Sequence, residues 1–79
     1  MQPKINIHLG EIICQKIKKE GRTQKWLAKQ IGCSPSTLSR TLENKGLNTE
    51  QLLSISLAMK HNFFEEFVVH CNEKLQYLQ

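Results

Sequence analysis

The stretch AKQIGCSPSTLSR, residues 28–40, decides the fold. Two helical patterns flank "GCS", and the second opens with Ser-Pro and carries almost nothing bulky on its outward side. Ser34 before Pro35 is a strong helix start: the serine side chain accepts an orphan amide, and proline presets φ at the first helical position, where no donor is needed. Gly32 can take the left-handed conformation that turns the chain out of the preceding helix. So short a connection makes the two axes cross steeply and close, the geometry of a helix-turn-helix rather than of two antiparallel bundle helices. Close crossing requires small residues: Ala28 faces the expected contact, and Cys33 and Leu38 plug the space between.

Moving outward, Thr23 can N-cap a helix whose inward positions are Leu27, Ala28 and Ile31. Beyond Pro35 the helix runs to about Asn44 and buries Leu38 and Leu42, so the helix-turn-helix unit spans residues 23–44. Upstream, Leu9, Ile12, Ile13 and Ile17 fall at helical spacing, and Gly21 sits where a left-handed residue stops a helix over residues 8–20. Ile5, Ile7 and Leu9 alternate with polar residues, a brief strand-like pattern in a short N-terminal extension. Downstream, Lys45 and Gly46 form a turn, and Asn48 with Gln51 makes a capping box opening a helix that shares Leu52, Ile55 and Met59 on one face. Asn62 with Glu65 suggests the start of a fifth helix. From Phe64 the apolar residues recur at Val68, Cys71, Leu75 and Leu78 in alternating steps of four and three, which favours a helical tail over a strand through "FVVH". The expectation is an all-α, compact five-helix domain over residues 1–79, with a C-terminal tail at 63–79 that either dimerises or caps its own chain.

Composition bounds the function. Seventy-nine residues hold one domain at most, near the size where a single core is marginal and a partner chain helps. With 39% hydrophobic and 23% charged residues the chain is of the folded rather than the disordered type. No apolar run approaches the ~20 residues of a membrane span, and the N-terminus lacks a basic region followed by an apolar one, so a cytoplasmic protein is expected. Cys14, Cys33 and Cys71 match neither a disulfide framework nor zinc-site spacing, and they read as reduced, mostly buried thiols. Trp26 reads as core. Charge is uneven: residues 1–46 hold nine Lys or Arg against three Glu, +6, whereas residues 47–79 hold two Lys against four Glu, −2. A basic first half suits an anionic partner, though a solvated lysine-rich surface has the same composition.

The spacing from Gln24 through Ala28, Gly32 and Leu38 resembles the phage-repressor and Cro-like (XRE-type) helix-turn-helix family. "RTQKWLAKQIGCSPSTLSR" is similar to that family's second and third helices, and "NTEQLLSISLAMKHNFFEEF" to its fourth and fifth, over about residues 9–67. The resemblance implies a lambda-repressor-like DNA-binding domain. Two positions depart from the pattern. Thr41 stands where the family places a branched aliphatic residue, which leaves it partly exposed or with its hydroxyl bonded to a helix carbonyl. Leu57 stands where the family more often has a charged one.

Carried over residue by residue, the resemblance puts the N-terminal half of the third helix against base edges in the major groove. Gln24 would donate to a phosphate, aided by the helix N-terminus, and Thr23 would add a second contact or only cap. Ser34 opens the recognition helix and is expected to be one of the DNA-binding residues. Pro35, Ser36, Thr37, Ser39 and Arg40 occupy or border its outward positions; small side chains let the backbone approach, and Pro35 or the Thr37 methyl would meet a thymine methyl. Arg40 alone is long enough for bidentate contact with guanine, the alternatives being a phosphate contact or an ion pair with Glu43. Lys45 suits a phosphate; Arg22, Lys25 and Lys29 add to the diffuse field.

One short recognition helix reads few base pairs, so a symmetric dimer on two half-sites is expected. Leu53 and Leu57 lie on a different face from Leu52, Ile55 and Met59, and with Phe63, Phe64, Val68 and Val69 they form a candidate dimer interface, unless the tail covers them. No nucleophile, acid or base falls at catalytic spacing around His8, His61 and His70, so no enzyme, cofactor or metal is expected; His70 beside Cys71 is too small a ligand set. No aromatic platform favours RNA. The functional expectation is a small transcriptional regulator, repressor-like or an antitoxin with a separate protein partner. The rival is a protein-interaction module that keeps the helix-turn-helix without binding DNA.

Overall fold

Each helix opens on a side chain that accepts one of its orphan amides. The computed structural model describes residues 8–43 and 47–78, which form five helices: α1 Leu9–Lys19, α2 Gln24–Ile31, α3 Pro35–Glu43, α4 Thr49–Met59 and α5 Phe64–Leu78. At α1, His8 Nδ1 accepts from the Glu11 amide at 3.3 Å. The helix ends at left-handed Gly21 (φ +70°), where the Arg22 amide reaches back to the Ile17 carbonyl and the Gly21 amide to that of Lys18. These two bonds satisfy carbonyls that a helix end otherwise leaves open. Thr23 Oγ1 caps α2 by accepting from the Trp26 amide at 3.0 Å, and Gly32 (φ +77°) ends it. Ser34 Oγ accepts from the Thr37 amide at 3.2 Å to start α3. The capping box at α4 is complete, with Gln51 N donating to Asn48 Oδ1 at 2.7 Å and Asn48 N to Gln51 Oε1 at 3.1 Å. Asn62 Oδ1 accepts from the Phe64 amide at 3.0 Å and opens α5.

The core is a single cluster: Leu9, Ile13 and Ile17 from α1, Leu27 and Ala28 from α2, Leu38 and Leu42 from α3, Leu52, Ile55 and Met59 from α4, and Phe63. α3 packs on both α1 and α2, and α2 on α4. α1 comes so close to α3 that a Cβ at Gly10 would overlap the Leu42 carbonyl. Close contact had been expected at Ala28, which is indeed buried, but the residue that must lack a side chain lies on α1. Among the residues of α5 whose burial is described none is fully buried; Phe64 and Phe67 lean on the core while Val68, Val69, Leu75 and Tyr77 face solvent.

Three expectations change. Phe63, assigned above to a dimer interface, is wholly buried in its own chain, held at the α4–α5 corner where its amide donates to the buried Ser56 Oγ at 3.4 Å. The cysteines are free but not mostly buried: Cys14 and Cys33 are half-buried and Cys71 is exposed. Trp26 is half-buried, packed at the edge of the core rather than inside it. The segment through "FVVH" is helical, as the spacing of its apolar residues favours, and Leu9 begins α1 within the helix expected over residues 8–20. Ile5, Ile7, the Lys45–Gly46 turn and the end of α3 at Asn44 lie outside the described residues.

Candidate functional site

With about 100° per residue, a helix that points Leu38 and Leu42 inward turns Ser36 and Arg40 to the opposite side. Leu38 and Leu42 are buried, and Ser34, Pro35, Ser36, Thr37 and Arg40 are exposed. Arg40 has no ion pair with Glu43 or any other acid among the described residues. Thr41 is half-buried and its hydroxyl donates to the Thr37 carbonyl at 2.9 Å, which accounts for a polar residue at that core-flanking position.

The hydroxyls at the start of α3 form a network that sequence reasoning missed. Ser34 Oγ donates to Thr37 Oγ1 at 2.8 Å and lies 3.3 Å from Ser36 Oγ. The Ser34 proton is thus used locally, whereas Thr37 keeps its own for an outside acceptor. Ser-x-x-Thr at a helix start is the signal that would have found this network.

Ser39 does not share the outward face. It is half-buried and lines an open cleft of about 490 Å³ with Gln24 from α2, Gly10, Glu11 and Cys14 from α1, and Glu43. In that cleft the Gln24 Nε2 donates to Cys14 Sγ at 3.3 Å. Thr23 is exposed and its oxygen serves as the α2 cap. Lys45 lies outside the described residues.

Electrostatics distinguish α2 and α3 from the other helices. α1, α4 and α5 carry glutamate in their first turns, whereas α2 and α3 carry none. Their positive N-terminal ends are capped by the Thr23 and Ser34 hydroxyls but carry no negative charge of their own in the first turn. Of the nearby cations, Arg22 is engaged: its guanidinium stacks 4.0 Å from the Trp26 ring centroid, with Nε 4.0 Å from Glu20 Oε1. Lys25 and Lys29 are exposed without an ion pair among the described residues.

A second, apolar surface lies at the α4–α5 corner. Leu53 and Leu57 are exposed, by 69% at Leu57, and with half-buried Phe64 they border a groove of about 410 Å³ rimmed by Lys60 and His61. Val68 and Val69 continue the exposed apolar surface along α5, joined by Leu75 and Tyr77.

Fold and surface together define an all-α five-helix domain in which a short capped helix, joined to its predecessor by a three-residue turn, presents a hydroxyl- and arginine-bearing face to solvent. The chain matches no protein-family model, no curated protein and no solved structure. None of the helices among the described residues is long and apolar enough to cross a membrane.

Proposed function

We infer that the protein binds double-stranded DNA sequence-specifically, with α3 in the major groove, and acts in the cytoplasm as a small transcriptional regulator of the repressor or antitoxin type. The observation that carries this reading is the outward face of α3: Ser36 and Arg40 stand exposed, Arg40 without an acidic partner, beside two helix N-termini that lack first-turn acids. A phosphate backbone is the polyanion such termini suit, and base edges are what an arginine with small neighbours can reach. Gln24 and Thr23 serve the phosphates, with Lys25 and Lys29 in the surrounding field. Pro35, Ser36, Thr37 and Arg40 face the bases. Ser39, turned into the cleft, is a weaker candidate for a base contact than its neighbours.

Two chains act together in this reading, through Leu53, Leu57 and Val68 with Phe64 at the edge, so that two copies of α3 meet half-sites about 34 Å apart. The same exposed apolar residues favour the second reading, a module that binds another protein and not DNA.

Selection of bound duplexes from a random pool tests the choice. The expected result is a two-fold-related motif. Arg40→Ala relaxes one base position in each half, and Gln24→Ala weakens all sequences alike. Recovery of no preferred sequence at moderate salt would overturn the DNA reading in favour of the protein-binding one.

A further inference from the structure

We propose that Cys14 is a positioning residue for Gln24, its thiol fixing the side-chain amide through which α2 would hold a phosphate. The inference rests on the DNA-binding reading above. Gln24 is the first residue of α2, where a free glutamine side chain would sample several rotamers. It is not free here: Nε2 donates to Cys14 Sγ, and the residue is half-buried in the cleft between α1 and α3. One amide proton is thereby committed to sulfur, leaving the second proton and Oε1 for an outside partner.

The position of Cys14 on α1 makes this arrangement rigid. Gly10 and Cys14 are four residues apart and so lie on one edge of the helix. Gly10 sits against the Leu42 backbone of α3, and Cys14 meets Gln24 of α2. A single strip of α1 therefore sets the height of α3 at one point and the direction of the Gln24 amide at the next. An ordered donor loses less conformational entropy when its phosphate arrives than a mobile one does. Cys14 touches no DNA in this scheme; it acts only through Gln24.

The test compares Cys14→Val, which keeps the shape and removes the acceptor, with Cys14→Ser, which keeps an acceptor, in the wild-type and Gln24→Ala backgrounds. With the selected duplex as probe, Cys14→Val should weaken binding about three- to tenfold on every sequence, and Cys14→Ser should stay within about twofold of wild type. In the Gln24→Ala background Cys14→Val should have no further effect, whereas general loosening of the fold would weaken both backgrounds equally. Side-chain amide resonances of Gln24 give a readout that needs no DNA: they should shift in Cys14→Val while the backbone spectrum stays folded. Unmoved Gln24 resonances, or equal losses in both backgrounds, overturn the positioning role and leave the DNA reading standing. Failure of the unsubstituted protein to bind any duplex overturns the DNA reading, and this inference with it.

Discussion

Gly10 is the described glycine that its packing leaves no room to enlarge. Replacement by alanine improves intrinsic helix propensity by about 1 kcal/mol, yet the new methyl must displace the Leu42 carbonyl, which belongs to a helix backbone and cannot swing aside. Overpacking of this kind costs about 1–3 kcal/mol, so Gly10→Ala should lower stability in urea unfolding, and a gain instead would show that α1 does not press on α3. Lys60 is the opposite case. It closes α4 in the left-handed region at φ +54°, where a side chain costs roughly 1–2 kcal/mol. Lys60→Gly should therefore raise the melting temperature by roughly 4–8 °C for each kcal/mol released. Neither feature was legible in the sequence. Gly10 is explained by a carbonyl far away in the chain, and Lys60 by a turn that glycine more commonly makes. The caps at Thr23, Ser34, Asn48 and Asn62 were legible, because each is a local bond between residues two or three apart.

At the level of elements, α3 depends on its start. Its nine residues are too few for a helix to persist by propensity alone, so capping and the buried Leu38 and Leu42 sustain it. Ser34→Ala removes the acceptor for the Thr37 amide and should cost about 1 kcal/mol, measured by chemical denaturation, with faster hydrogen exchange in the first turn of α3. The outward position of Ser36 and Arg40 followed from periodicity alone, since Leu38 and Leu42 fix the opposite face. Ser39 did not, because a flanking position is settled by which neighbouring helix lies beside it, here α1. The same limit explains Phe63. It belongs to the link between α4 and α5 rather than to a periodic element, so no helical face assigns it, and its place beneath the Ser56 corner depends on how the two helices meet. The Cys14–Gln24 bond likewise joins two helices whose packing no local pattern specifies.

For the whole molecule, the distribution of apolar surface matters most. The core gathers ten residues of α1–α4 together with Phe63, whereas exposed large apolar side chains gather on α4 and α5. The division between a basic first half and an acidic second half has the same polarity along the chain. A self-complementary association through α4 and α5 would leave α3 unobstructed in both copies. Sedimentation equilibrium should therefore find a dimer that Leu57→Glu combined with Val69→Glu converts to monomer, with the helical circular dichroism unchanged because both residues are exposed. Retention of the dimer by that double variant would place the contact elsewhere.

The lone tryptophan gives this small chain a natural optical handle. Trp26 is half-exposed in the first turn of α2, under the Arg22 guanidinium and three residues past the Thr23 cap. A polyanion drawing Arg22 away, or excluding water at that corner, would alter the indole's surroundings, so intrinsic emission can follow complex formation without any label.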